Sequence, residues 1–219
     1  MRIDTKPRPM PPRKAELFLF LFAAAAIACG LSGTQLHPTS PIDDAGLLGT
    51  PSCIPPCFLG ITPGATSEQQ ALGILEQEDI AARCESFDME GEGGLRGLIC
   101  GDNLVVSFGR FTDIVDVIGY YPSGPPALAE VITTYGEPSW VRVQQDGIPE
   151  VIRSVAMLFF DGLNTRLTLP TIDGGSYHIG PSAPVENIVY FSTATYQQMT
   201  DTSVVSWNGY GDYSQLSPP

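Results

Sequence analysis

After Lys14 the chain contains no lysine, and beyond residue 28 its only cations are six arginines: Arg83, Arg96, Arg110, Arg142, Arg153 and Arg166. Over the whole chain 11 basic residues face 24 acidic ones, a net charge of −13. No basic footprint exists for phosphates, which excludes a nucleic-acid partner. Histidine occurs only twice, so catalysis through imidazole rests on His37 or His178. There is no G-x-S-x-G nucleophile elbow. Gly209-Tyr210-Gly211 is too short a fragment to cradle a phosphate. No apolar run reaches the about 20 residues that a membrane-spanning helix needs. Charged residues amount to only 16%, whereas apolar residues reach 43%, enough for a packed core. Gly (23) and Pro (20) are abundant, which favours many turns over a helical bundle.

The N-terminus has the layout of an export signal. Arg2, Lys6, Arg8, Arg13 and Lys14 form a basic leader, and the apolar run Leu17–Ala28 follows. Ala26-Ile27-Ala28-Cys29 resembles a bacterial lipobox, in which the cysteine thiol is acylated and becomes the new N-terminus. The resemblance implies a signal peptide over residues 1–28 and lipidation at Cys29. Taking Cys29 away leaves four of the five cysteines, an even set. Loss of residues 1–28 leaves six basic and 22 acidic residues, a net −16. Anionic lipid headgroups repel such a surface, so the membrane partner is met through acyl chains. Residues 29–52, rich in Gly, Pro, Ser and Thr and including His37, read as a lipid-anchored flexible tether.

The body is expected over residues 53–200. It opens with Cys53-Ile54-Pro55-Pro56-Cys57-Phe58-Leu59-Gly60-Ile61-Thr62-Pro63-Gly64-Ala65-Thr66. This run resembles the C-x-x-P-C-aromatic-x-G-I-x-P-G-x-T opening of uncharacterised exported proteins associated with Chloroflexota. Cys53, Pro56, Cys57, Phe58, Gly60, Ile61, Pro63, Gly64 and Thr66 carry the likeness. It implies a fold and an extracytoplasmic location, and brings no activity with it.

Thr66 is placed to cap a helix over Ser67–Glu76, with Gln69 completing a capping box. Ala71, Leu72, Ile74 and Leu75 give that helix an apolar side. Leu95–Cys100 and Leu104–Phe108 flank the turn Gly101-Asp102-Asn103 and predict a hairpin. Ile114–Tyr121 reads as another strand. A second helix is expected with Pro125 and Pro126 at its start. Leu128, Val131, Ile132 and Tyr135 form its stripe, and Gly136 stops it. Trp140–Val143 reads as a short strand, Val155–Phe160 and Leu163–Leu169 as a hairpin around Asp161-Gly162, and Ile188–Ser192 as the last strand. The fold class is therefore α+β, with helices each covering one face of an antiparallel sheet. Residues 66–122 and 125–192 read as a tandem repeat of a helix plus hairpin-strand unit. The layout is similar to SmpA-type outer-membrane assembly lipoproteins and to beta-lactamase inhibitor proteins, a likeness of architecture alone.

Each candidate site has a plainer account beside it. Cys53, Cys57, Cys84 and Cys100 in an exported chain point to disulfides. Four cysteines allow three pairings that sequence leaves open; local loop closure favours Cys53–Cys57 with Cys84–Cys100. Zinc is a weaker reading, because C-x₃-C followed by two scattered cysteines lacks ligand spacing. His178 has Asp173 and Ser182 near it in sequence, but it reads as a polar loop histidine. Asp88, Glu90 and Glu92 alternate with glycines and could suit Ca²⁺, yet their spacing does not fit an EF-hand loop, and a solvated turn is expected. In the 201–219 tail, Trp207, Tyr210 and Tyr213 are a candidate contact surface. The competing expectation is that Trp207 and Tyr210 dock back to seal the end.

The expectation is a lipid-anchored, extracytoplasmic binding module of the cell envelope. It has no catalytic residues, no metal and no cofactor, and its partner is a protein or an envelope polymer. The alternatives are an exported hydrolase using His178 or the Asp88 cluster, and a structural envelope-assembly factor.

Overall fold

The computed structural model describes Ile42, Leu48 and residues 53–89, 95–148, 151–201 and 203–214. The leader, Cys29, nearly all of the expected tether, Glu90 and Glu92 lie outside the described residues. Among the described residues the chain forms three α-helices and twelve strands.

Helix α1 (Glu68–Gln77) starts one residue later than the capping pattern predicts. Ser67 is the cap: its hydroxyl accepts from the Gln70 N–H (3.3 Å), and Gln70 Oε1 accepts from the Ser67 N–H (2.9 Å). Thr66 serves the preceding turn instead, its hydroxyl accepting from the Thr62 N–H (2.9 Å). Ala71 and Leu75 are buried, while Leu72 faces outward. Helix α2 (Leu128–Tyr135) is preceded by Pro125 and Pro126, which lie outside it. Its start is held by Glu130, whose carboxylate accepts from the Ala127 N–H (3.0 Å). Leu128 and Val131 of the expected stripe are buried. Gly136 ends the helix at φ 86°, a left-handed conformation that glycine adopts without a Cβ penalty.

Ten strands join one antiparallel sheet. In spatial order they are β1 (Cys84–Asp88), β2 (Arg96–Cys100), β3 (Leu104–Phe108), β4 (Val115–Tyr120), β10 (Asn187–Phe191), β7 (Thr165–Thr168), β6 (Val151–Phe160), β5 (Trp140–Ile148) and β11 (Val205–Ser206). The short β8 (Ile172–Asp173) pairs with β6, and β9 (Ser176–Ile179) forms a two-stranded ribbon with β12 (Gly211–Ser214). The predicted β2–β3 hairpin is present, with Cys100 opposite Leu104. The strand expected to end at Val143 runs on to Ile148, because β5 and β6 pair along their whole length from Trp140↔Phe159 to Ile148↔Val151. The Asp161-Gly162 turn is a four-residue loop, Asp161 to Asn164, two residues longer than a two-residue hairpin. Asp161–Leu163 forms a tight helical turn, and Asn164 takes the left-handed position at φ 44°.

Side chains alternate across the sheet as a pleat requires. The inner face carries Leu98, Leu104, Val106, Ile118, Tyr120, Val141, Leu158, Leu167 and Ile188, which form one core with Ala71 and Leu75 of α1 and Leu128 and Val131 of α2. Both predicted helices therefore share a single face. Phe58 is fully buried and its ring lies 4.8 Å from that of Tyr120, an aromatic pair contributing about 0.5–1.5 kcal/mol beyond its buried area. Arg96 fastens α1 to the sheet. It donates to Glu68 (2.7 Å) and Asp113 (2.9 Å), and these partners, Glu68 first, raise its pKa from the ordinary value.

Both expected disulfides are present: Cys53–Cys57 and Cys84–Cys100. The second ties the edge strand β1 to β2 at opposed positions. The core also reaches upstream of Cys53. Ile42, inside the stretch expected to be free tether, is only 2% exposed. Its N–H donates to Asn103 Oδ1 (3.1 Å), and Asn103 Nδ2 donates to the Ile42 carbonyl (2.7 Å). The expected tail likewise joins the body, through β11 on β5 and β12 on β9.

Candidate functional site

The outer face of the sheet is built from the alternate residues of the same strands, and among the described residues it is covered at one end. There α3 (Thr193–Thr200), which no sequence signal announced, lies against it. Ser192 caps α3 by accepting from the Thr195 N–H (3.3 Å). Asp116 on β4 accepts from the hydroxyls of Ser192 (2.5 Å) and Thr195 (2.8 Å). Tyr196 of α3 then packs on Phe159 and Phe191, each with ring centroids 6.3 Å away, and its hydroxyl donates to Asp161 (2.9 Å). Burial raises the Tyr196 pKa well above the ordinary tyrosine value, and Asp161 adds to the shift.

One cross-strand row can be followed through the register from the open edge to the residues packed with α3. It runs Glu85↔Ile99↔Val105↔Gly119↔Val189↔Arg166↔Phe159↔Trp140. Ile99 is 46% exposed, and Tyr121, just past the end of β4, is 50% exposed. Phe87 lies beside this row with its ring over Gly97, where a Cβ would come within 2.9 Å of the ring. Gly119 places a notch between Val105 and Val189. The middle of the row is thus apolar and partly uncovered.

Two arginines stand where the open face meets the α3-covered end. Arg166 lies over the Phe191 ring (5.7 Å to the centroid) and Arg142 over the Phe159 ring (5.4 Å). Arg142 also donates to the Met199 carbonyl in the last turn of α3, where a cation complements the helix dipole. Burial lowers both guanidinium pKa values from their ordinary position. Arg166 is lowered further by Arg142 and raised by Tyr121. The Nε of Arg166 and the Thr168 hydroxyl, two residues on, are buried with no hydrogen-bond partner.

The sequence candidates fall elsewhere. His178 does not meet Asp173 or Ser182; its Nδ1 lies 2.7 Å from Asp212 Oδ1 across the β9–β12 ribbon. Both side chains are open to solvent, 73% and 80% exposed. Asp173 instead faces Arg153 at 3.8 Å. Ser176 and Ser214 form the opposed pair two positions further along the ribbon. Among the described residues no serine hydroxyl bonds to the imidazole. Trp207 is half-buried against the core, stacked on Tyr213 (5.8 Å, 8° between planes) and meeting Tyr210 edge-on (5.7 Å). The Tyr213 hydroxyl accepts from the Asn208 N–H (3.0 Å) and donates to the Gly209 carbonyl (2.7 Å). Tyr210 is the ring of the three left exposed. Asp88 lies opposite Arg96 on β2. Among the described residues no group of three histidine, cysteine or acidic side chains could hold a metal, and the four body cysteines are all paired.

Two disulfides fit an oxidising, extracytoplasmic compartment. Among the described residues no helix is long and apolar enough to cross a membrane. No family model matches the chain, and no curated protein or solved structure matches it significantly.

Proposed function

We propose that this chain is an exported, lipid-anchored binding module that works without a reaction of its own, docking a protein or envelope polymer on the outer face of its sheet. One observation carries the reading. The row Ile99–Val105–Gly119, with Phe87 and Tyr121 beside it, is left apolar and partly uncovered while α3 covers the far end of the same face. An apolar surface of this kind costs solubility unless something binds it. The basic leader, the Cys29 lipobox and the two disulfides support an envelope location, and Tyr210 supplies a second exposed ring at the other end of the molecule.

The test is cross-linking in the native host through a photoreactive residue at Ile99, with one at Leu72 on α1 as control. Adducts that form at Ile99, not at Leu72, and that vanish in a folded Val105→Glu variant support the reading. Equal labelling at both positions overturns it. For the anchor, the mass of the mature N-terminus decides: diacyl or triacyl Cys29 is expected, and an unmodified terminus elsewhere ends that part of the proposal.

The tandem repeat belongs to the same proposal. The strand order β1-β2-β3-β4-β10-β7-β6-β5 reads alike from both ends, with β4 and β10 antiparallel at its centre, and α1 and α2 each precede one half. This supports two copies of a helix and four-strand unit related by a local two-fold axis. A crystal structure in which residues 66–122 fail to superpose on 125–192 strand for strand would refute it. The pair His178–Asp212 favours the second reading, an exported hydrolase. A turnover abolished by His178→Ala would put that reading first.

A further inference from the structure

We propose that Arg166 is the polar anchor of the outer face and receives a carboxylate from a protein segment lying across the strands. This rests on the reading of that face as a docking surface and names what its partner must carry.

The argument starts from charge. In a chain of net −13, a cation is ordinarily matched by a nearby acid, as Arg96 is by Glu68 and Asp113 and Arg153 is by Asp173. Arg166 has no such match among the described residues. Its guanidinium carbon lies 5.7 Å from the centroid of the Phe191 ring, and its buried Nε has no acceptor among the described residues. The one charged side chain felt beside it with the same sign is Arg142, which disfavours it. Burying a guanidinium without an acceptor is costly, and a carboxylate arriving from outside removes the cost by a charge-assisted, two-pronged hydrogen bond. Stacking on the ring holds the guanidinium ready for it.

Placement gives the partner its shape. Arg166 lies on the same row four strands from Ile99, about 19 Å away at the usual strand spacing, beside the buried Val189. Glu85 stands at the opposite end, on the edge strand. From the edge strand to Arg166 the row therefore runs acidic, apolar, then basic, and the residues beyond Arg166 are packed with α3. A polyanion such as an acidic membrane would be repelled by the net charge long before reaching Arg166. A single aspartate or glutamate set among apolar residues is not repelled in this way, and it fits both halves of the row.

The experiment uses the folded exported chain and two probes, acetyl-Phe-Glu-Phe-amide and acetyl-Phe-Gln-Phe-amide. The side-chain Nε–H signals of the arginines are followed by NMR during titration. Expected is a saturable shift at Arg166, not at Arg96, with the glutamate peptide binding about tenfold more tightly than the glutamine one. Arg166→Gln should abolish that preference. Should that variant fold poorly, Arg166→Lys keeps the charge, and it should keep the preference in weaker form. Equal response to the two peptides, an unmoved Arg166, or inorganic phosphate displacing the glutamate peptide at equal concentration overturns the inference. None of these results depends on the cross-linking at Ile99, which decides the broader reading by itself.

Discussion

Gly97→Ala probes how the outer face is kept flat. An alanine Cβ at this position would come within 2.9 and 3.0 Å of two carbons of the Phe87 ring and well inside contact distance of the Val106 carbonyl. The two collisions differ in kind. Phe87 is on the edge strand and its ring can swing away, whereas the Val106 carbonyl belongs to the β2–β3 pairing and moves only with the strand. Overpacking of this sort costs about 1–3 kcal/mol, and the rigid contact puts the expected loss in the upper part of that range. Phe87→Ala alone, removing a half-buried ring, should cost about 1 kcal/mol. The double variant should be less destabilised than the sum by about 1 kcal/mol, since one collision disappears, yet it should still fall clearly below Phe87→Ala alone. Urea unfolding followed by tryptophan fluorescence gives all three values. A Gly97→Ala protein within about 0.5 kcal/mol of wild type, or one fully rescued by Phe87→Ala, would show the reasoning about the strand backbone to be wrong.

Three other outcomes are expected. Replacing Cys84 and Cys100 by serine opens a link between residues 16 apart, which on chain-entropy grounds lowers stability by about 3 kcal/mol; a loss under about 1 kcal/mol in a chemical melt would contradict it. Burial pushes the Tyr177 pKa up to about 12, with Glu186 adding to it, while its hydroxyl donates to the Pro170 carbonyl (2.6 Å). Below the unfolded value near 10 both states hold the proton and stability is intact. Above that value only the unfolded state releases it, so stability falls by about 2–3 kcal/mol as pH rises through the folded value; identical slopes for wild type and Tyr177→Phe between those limits would refute this. Asn103→Ala leaves the Ile42 N–H and carbonyl without partners and should cost about 1–3 kcal/mol, with faster hydrogen exchange at Ile42; unchanged exchange there would show that the upstream segment is held by something else.

What could be read in advance divides along physical lines. Local rules located α1, α2, the β2–β3 hairpin and the edge of β4, because apolar spacing, Gly136 and the Gly101-Asp102-Asn103 turn act over a few residues. The disulfide pairing was legible for the same reason, since each bridge closes a short loop. α3 was not legible: five of the eight residues of Thr193–Thr200 are threonine or glutamine, with little apolar stripe, and it is held by Asp116 from a strand 76 residues earlier. The full length of β5 was hidden by Gln144, Gln145 and Asp146, polar residues kept in register by β6. The contact of His178 with Asp212 was not legible, because the two residues meet only through the β9–β12 ribbon. Arg166 gave one usable signal, an arginine between Thr165 and Leu167 on the outward side of a strand. Its neighbours Phe191 and Val189 depend on β10 lying beside β7, which no local pattern specifies.

The clamp between Asn103 and Ile42 alters how far the molecule can stray. On the lipidation of Cys29 proposed above, 13 residues rather than 24 would separate the anchor from the first residue fixed in the body, and a flexible chain of that length would reach about 20 Å instead of about 27 Å. The body would then be confined to a thinner layer against the bilayer. Targets embedded in that membrane would meet it at a higher effective concentration, while those farther out would fall beyond its range.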